Sequence, residues 1–151
     1  MKKAGRANWI VVFAVLALVL VVGLAFFSGG SPAGAASEFL TALQKRDIDT
    51  LTELSNVPES GKAALRKQWK FNAEVAAPYY NFAWEIQHTK QITSDQAVVA
   101  VKVIRNSEDP NAYDEPFELA MVKVDGQWKV DIYRLSRNFY PALPRMPGVD
   151  K

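Results

Sequence analysis

The side chain in this sequence best suited to acid–base chemistry is a histidine, and the chain contains only one, His88. Apolar residues alternate just before it, so a strand there would place His88 on the same face as Phe82, Trp84 and Ile86. We therefore expect His88 to point toward the interior, and it is the best candidate for a general base if the protein is an enzyme. A single histidine on an apolar face is more often a hydrogen-bonded core or pocket-rim residue, and this alternative stays open.

Carboxylates are the second group able to do chemistry, and several lie in a polar stretch between residues 105 and 116, namely Glu108, Asp109, Asp114 and Glu115. The stretch lacks the residue order of a calcium loop, so we expect a solvated loop. One histidine without any cysteine cannot form an ordinary zinc site. Neither a phosphate-binding glycine loop nor a Ser/His/Asp arrangement is present, and we predict no metal and no cofactor.

Aromatic side chains are frequent in the middle of the chain and offer an apolar lining for a ligand. The candidates for such a pocket, with the histidine added, are Trp69, Tyr79, Tyr80, Trp84 and His88. The same aromatic residues also suffice to fill the core of a domain of this size, and this is the preferred interpretation for most of them.

The charge distribution indicates what the protein does not bind. The formal net charge is +2, but Lys2, Lys3 and Arg6 contribute three of the 18 basic residues, which leaves 15 against 16 acidic residues, or −1. A domain close to neutrality without a basic block has no electrostatic footprint for nucleic acid, and no nucleic-acid partner is predicted.

The N-terminal region predicts an attachment to a lipid bilayer. Residues 9–27 form an uncharged run of 19 residues, which at about 1.5 Å per residue nearly spans a hydrocarbon core of about 30 Å. The basic residues within 1–8 place the N-terminus in the cytoplasm, so the chain after the linker 28–31 is extracytoplasmic. Ala33-Gly34-Ala35 allows an alternative, a signal peptide cleaved after Ala35, which would make the protein secreted.

Three helices are predicted after the linker. Ser31-Pro32 is typical of a helix start, and the apolar spacing from Ala36 to Leu43 gives one buried stripe. Asp49 is predicted to cap a short second helix, and capping is also the preferred interpretation of Asp47. Ser60 is predicted to cap a third, which ends at Pro78 and has the apolar positions Ala64, Leu65, Trp69, Phe71 and Val75.

Four strands are predicted to follow, and the last two form a hairpin. Phe82 opens the first, 97–104 is the second, 117–124 the third and 127–134 the fourth. Asp125-Gly126 suits a two-residue turn with both residues at positive φ. This turn places Val124 opposite Gln127, Lys123 opposite Trp128, Met121 opposite Val130 and Leu119 opposite Ile132. One face then packs on the helices, and the other carries the candidate dimer surface, Ala120, Val122, Val124 and Tyr133.

The tail, residues 136–151, contains Phe139 and Tyr140 among prolines. It either packs over the domain or forms an extended peptide for a partner, and packing or disorder is preferred over the peptide.

Three stretches together resemble the nuclear transport factor 2-like superfamily, also called cystatin-like. They are AASEFLTALQKRDIDTLTELS, ITSDQAVVAVKV and FELAMVKVDGQWKVDIY. The resemblance covers residues 32–135 and implies an α+β domain with three helices on a curved four-stranded antiparallel sheet. It further implies a cone whose interior is often a ligand pocket, and a sheet face that often forms homodimers.

The resemblance leaves the function open, because the superfamily includes ketosteroid-isomerase-like and polyketide-cyclase-like enzymes as well as non-enzymatic proteins. The leading expectation is a membrane-anchored, non-enzymatic module that binds an envelope protein partner or a small apolar ligand. The alternatives are an isomerase or cyclase that uses His88, and a subunit of a secretion system in the inner membrane.

Overall fold

A computed structural model describes residues 30–106, 108–140 and 143 of this chain. The predicted cytoplasmic segment 1–8 and membrane anchor 9–27 lie outside these residues. Within the part that is described, no helix combines the length and the apolar character needed to cross a bilayer. The predicted order is confirmed, because three helices are followed by one antiparallel sheet of four strands.

The first helix, α1, spans Pro32–Lys45 and begins as the sequence predicts. Ser31 is its N-cap, and the hydroxyl oxygen accepts a hydrogen bond from the amide of Gly34 at 3.0 Å. Proline at the first position loses no hydrogen bond, since that amide has no partner within a helix. Arg46 ends the helix in the left-handed region at φ 58°. The buried stripe of α1 includes Ala36, Phe39, Leu40 and Leu43.

The second helix, α2, spans Ile48–Leu54, and of the two aspartates interpreted as capping residues Asp47 is its N-cap. Asp47, not Asp49, accepts hydrogen bonds from the hydroxyl and the amide of Thr50, and these bonds hold the pKa of Asp47 below its usual value. Asp49 lies in the first turn instead, where its carboxylate pairs with Arg66 at 2.8 Å.

The third helix, α3, spans Lys62–Phe71, follows a 3₁₀ turn at Glu59–Gly61 and continues as a π-helical turn at Asn72–Ala76. Its buried positions are Leu65 and Trp69. Phe71 lies about 200° around the helix from Trp69 and is 59% exposed, while Val75 is 61% exposed. The third helix therefore buries a narrower stripe than its apolar residues predict.

The sheet has the order β1-β2-β3-β4, with every neighbouring pair antiparallel. Its strands are β1 Phe82–Gln91, β2 Gln96–Arg105, β3 Tyr113–Val124 and β4 Gln127–Val130. The third strand begins earlier than predicted, so part of the predicted acidic loop belongs to β3, including Pro116 opposite Lys102.

The closing hairpin confirms most of the predicted register. Asp125 and Gly126 have φ of 50° and 79°, and Val124 pairs with Gln127, Lys123 with Trp128 and Met121 with Val130. The predicted pairing of Leu119 with Ile132 is wrong, because β4 ends at Val130 and a 3₁₀ turn follows at Ile132–Arg134.

The core lies between the helices and one face of the sheet. On β2 the inward residues are Val99, Val101 and Val103, each at most 1% exposed. They face α1 and stabilise the domain through burial of apolar surface, about 1.5–3 kcal/mol for each fully buried side chain. The next residue of this inward row is Arg105, the last residue of β2.

Candidate functional site

A buried arginine lies at the end of the interior where β1 begins, β2 ends and β3 begins. We call this place the Arg105 end. Arg105 is 9% exposed and uses its guanidinium in three directions. Its Nε donates to the carboxylate of Glu115, Nη1 donates to the hydroxyl of Tyr80, and Nη2 donates to the main-chain carbonyl of Asn138. The charge is thus compensated by a carboxylate on the neighbouring strand, as a buried charge requires.

Aromatic rings surround this guanidinium. Arg105 lies 5.7 Å from the ring centre of Tyr80 and 5.5 Å from that of Phe117, both within the range of a cation–π contact. Tyr80 stacks on Phe82 with centres 5.8 Å apart. The Arg105 end therefore combines one fixed cation with apolar walls, a combination suited to hold an aromatic group that carries a hydrogen-bond acceptor.

The protein's own C-terminal segment fills this end. Phe139 packs edge-on against Phe117 at 5.3 Å, and Tyr140 packs edge-on against Tyr80 at 5.1 Å. Phe139 and Tyr140 are 1% and 2% exposed, and Leu143 is 8% exposed. Of the two outcomes preferred for the tail, packing over the domain is the one that these three residues show.

Burial changes the ionisation of both tyrosines here. Desolvation raises the pKa of Tyr80, although the positive charge of Arg105 acts in the opposite direction. Desolvation likewise raises the pKa of Tyr140, opposed by the charge of Arg46 and by a side-chain hydrogen bond from it. Both phenols are consequently held in their neutral form over a wider range of pH than in water.

The structure does not bring the five predicted pocket residues together. Only Tyr80 belongs to the Arg105 end. Trp69 is 1% exposed and packs edge-on against Phe39 at 6.1 Å; its buried indole nitrogen has no hydrogen-bond partner among the described residues. The remaining three are more open: Tyr79 is 91% exposed, Trp84 is partly buried and donates from its indole nitrogen to Gln44, and His88 is exposed.

The predicted orientation of His88 is wrong, and a β-bulge is the reason. Ile86 pairs with Val101, but His88 pairs with Ala100, so Gln87 is an extra residue in β1. This extra residue reverses the alternation, and His88 shares the side of Ala100, away from the helices. Without a bulge His88 would have shared the inward face of Phe82, Trp84 and Ile86.

An open groove crosses the outer face of the sheet beside this bulge. Its volume is about 630 Å³, and its lining residues include Gln87, His88, Ala100, Lys102, Pro116 and Glu118. Lys102 pairs with Glu85 at 2.9 Å and lies 3.9 Å from Asp114. The hydrogen bond and charge of Lys102 hold the pKa of Glu85 below its usual value, and Glu85 in turn raises the pKa of Lys102.

The predicted dimer surface is only partly continuous. Ala120 and Val122 are half-buried and Val124 is 36% exposed, and these three share the outer face of β3. Tyr133 does not belong to this face, because β4 ends before it. It lines a separate hollow with Pro58 and Leu65.

The acidic residues predicted in one loop are also separated. Glu115 pairs with Arg105 and Asp114 approaches Lys102, while Asp109 accepts a hydrogen bond from the amide of Asn111 at 2.8 Å. Among the described residues no group of three or more histidine, aspartate and glutamate side chains has the geometry to hold a metal ion.

Arg105 and Glu115 are site residues that the sequence does not predict, because both lie within the predicted polar loop. The signal for Arg105 was present, because the apolar alternation of Val99, Val101 and Val103 leads to it two residues later.

Comparison with known proteins supports the fold by structure alone. No protein-family model matches the sequence, and no curated protein matches it. A ketosteroid isomerase-like protein from Erwinia carotovora atroseptica SCRI1043 aligns with a TM-score of 0.50 at 19% identity, over 68% of this chain and 90% of that one. A putative calcium/calmodulin-dependent protein kinase type II association domain from Thiobacillus denitrificans ATCC 25259 aligns with a TM-score of 0.50 at 14% identity, over 66% and 89%.

A third similar structure, from Shewanella oneidensis MR-1, is described as an NTF-2 like protein of unknown function. It aligns with a TM-score of 0.47 at 16% identity, over 65% of this chain and 89% of that one. At such identities the likeness concerns the arrangement of helices and strands and does not extend to an activity.

Proposed function

We propose that this chain, whose described part has the nuclear transport factor 2-like fold, is a membrane-anchored extracytoplasmic module that binds a partner protein through the outer face of its sheet. The anchor is the uncharged run 9–27, and the basic residues before it favour a cytoplasmic N-terminus. The role is non-enzymatic, and the partner is a protein of the cell envelope or a second copy of this chain.

One observation supports this proposal above the others: the interior is occupied while the outer face offers an open groove. Phe139 and Tyr140 fill the Arg105 end of the interior, and Arg105 donates to the main chain of Asn138 before them. On the outer face, half-buried Ala100 lines the groove together with the charged Lys102. Apolar residues among charges are the usual composition of a non-obligate protein interface.

The isomerase or cyclase alternative gains no support from the placement of His88. A general base must come within hydrogen-bond reach of a substrate proton, and the substrate of such an enzyme would lie in the interior. His88 lies on the other side of the sheet, across from Ala100. The secretion-subunit alternative is a special case of the proposal, since it also needs an envelope partner.

Site-specific photo-crosslinking in membranes tests the proposal. A photoreactive phenylalanine analogue replaces Ala100 on the outer face in one variant and Glu38, an exposed residue of α1, in the matched control. We expect an adduct from the Ala100 variant that the Glu38 variant does not form. Its mass distinguishes a second copy from a different envelope protein.

Charge variants decide whether such an adduct is specific. Lys102→Glu should abolish the adduct, because it reverses a charge beside the groove, and the swap Glu85→Lys with Lys102→Glu should restore part of it by rebuilding the ion pair. Equal adducts from the Ala100 and Glu38 positions, or insensitivity to Lys102→Glu, would contradict the outer face as the binding surface.

A further inference from the structure

The C-terminal segment is seated at the Arg105 end by two adjacent rings. Phe139 contacts Phe117, and Tyr140 contacts Tyr80 and lies 6.0 Å from Phe82, each in an edge-on arrangement. Ser136 and Asn138, which precede them, are exposed. Two adjacent aromatic side chains are inserted and the three residues before them are exposed, which is how the central residues of a protein–peptide interface are placed.

Arg105 recognises the main chain of this segment. Its Nη2 donates to the carbonyl oxygen of Asn138 and lies 3.4 Å from that of Phe139. Nε and Nη1 are held by Glu115 and Tyr80, neither of which belongs to the segment. The guanidinium is thus oriented by the body of the domain, with the Nη2 donor left for a main-chain acceptor supplied from outside.

The backbone of the segment forms its own turn. The amide of Phe139 donates to the carbonyl of Ser136 at 3.0 Å, and the amide of Asn138 lies 3.4 Å from the hydroxyl oxygen of Ser136. The segment begins six residues after β4 ends at Val130 and takes no place in the sheet. The segment is consequently bound through its two rings and its main-chain carbonyl oxygens. Any peptide of similar sequence can offer the same groups.

We propose that the Arg105 end is a peptide-binding site, occupied in cis by Asn138–Tyr140, which accepts from a partner protein a segment with two adjacent aromatic residues. Arg105 binds main-chain carbonyl oxygens of that segment, the ring of Phe117 receives the first aromatic side chain, and Tyr80 with Phe82 receives the second.

This site lies on the opposite side of the sheet from the groove, so crosslinking from Ala100 tests the outer face and peptide binding tests the Arg105 end separately. The tethered segment competes with any partner at an effective concentration in the millimolar range, as expected for a short linker. While the tail occupies the site, an added peptide binds only weakly. Removing the two tail rings allows the affinity of the site for that peptide to be measured.

A labelled peptide, SRNFYPAL, copied from residues 136–143, measures this affinity by fluorescence anisotropy. The receptor is the full-length chain in mild detergent carrying Phe139→Ala and Tyr140→Ala. We expect saturable binding at least about tenfold tighter than to the unaltered chain, because the competing segment no longer fills the site. The control peptide SRNAAPAL should not bind, because it lacks both rings that fill the site.

A second form of the experiment applies if the double variant does not fold. A protease recognition sequence is inserted between Leu135 and Ser136 of the otherwise unaltered chain, and the folded protein is cut. The released tail should stay bound at high protein concentration and should exchange with labelled SRNFYPAL on dilution. A double variant that folds and fails to distinguish SRNFYPAL from SRNAAPAL, or a cut chain that does not exchange its tail, would overturn the proposal.

Discussion

The two faces of β2 place the same kind of ion pair in two different environments. Lys102, on the outer face, pairs with Glu85 on one neighbouring strand, and its side chain is 34% exposed. Arg105, three residues later on the inner face, pairs with Glu115 on the other neighbouring strand, and its side chain is 11% exposed. Since a strand alternates between its faces, a separation of three residues suffices to move a cation from solvent to the interior.

This difference determines what each pair contributes. An exposed pair gains little, because water and salt screen it and two flexible side chains must be ordered. A buried guanidinium has lost its hydration, so its bonds to Glu115, Tyr80 and the carbonyl of Asn138 are needed to offset that loss. The outer pair sets the charge pattern of a surface, whereas the inner pair joins three parts of the chain.

Matched substitutions of the two cations should give the largest contrast. Arg105→Met should lower the free energy of unfolding by about 3 kcal/mol, since it leaves Glu115 and the main-chain acceptors without their donor. Lys102→Met should change it by less than about 1 kcal/mol. Chemical unfolding of the full-length chain in mild detergent, followed by far-UV circular dichroism, measures both.

The double variant Arg105→Met with Glu115→Gln serves as the control for the charge. It should recover part of the loss, because it removes the unpaired carboxylate together with the guanidinium. Equal effects at positions 102 and 105 would mean that the inner pair is as solvated as the outer one.

The closing hairpin was predictable because its information is local. The turn residues Asp125 and Gly126 fix the register of Lys123 against Trp128, and the cation–π contact between those two follows at 5.8 Å. The start of α1 at Ser31 was predictable for the same reason, since a cap acts on residues within one turn.

The Arg105 end was not predictable in the same way, because its parts are distant in sequence. Glu115 and Asn138 are 10 and 33 residues away from Arg105 in the sequence. No residue next to Arg105 indicates that they are its partners. Its alternation with Val103 was the only signal, and the polar residues that follow obscured it. The sequence likewise does not indicate the bulge at Gln87, because the alternation of apolar and polar residues in β1 continues without a break to His88.

Alkaline pH should weaken the interior through ionisation of the phenol of Tyr140. The pKa of Tyr140 is raised in the folded state, so the unfolded chain loses this proton first and the folded form is favoured only while the phenol stays neutral. The contribution is fully present below about pH 10 and is lost as the pH rises through the folded pKa. Thermal unfolding between about pH 9 and 11.5 should show a steeper loss of stability for the unaltered chain than for Tyr140→Phe.

Tyr79→Phe is the control for that experiment, because it removes a phenol that is 91% exposed. Its stability should follow that of the unaltered chain across the same pH range. If Tyr140→Phe shows the same slope as Tyr79→Phe, then the tail phenol does not titrate from a buried position, and the contrast between the interior and the outer face loses one of its supports.

The smallest expected effect concerns His88, and it tests the bulge on which the comparison of faces depends. His88→Ala should change the free energy of unfolding by no more than about 0.5 kcal/mol, as for a surface residue. Because the chain has a single histidine, a ¹³C-histidine label gives one assignable imidazole signal, and a soluble paramagnetic agent should broaden it strongly.

Deleting Gln87 makes the pairs Ile86–Val101 and His88–Ala100 contiguous, so the signal should stay broadened. Without a bulge the opposite pattern would appear: His88 would be protected in the unaltered chain and would become accessible only after the deletion, since the loss of one residue turns every later side chain of β1 to the other face.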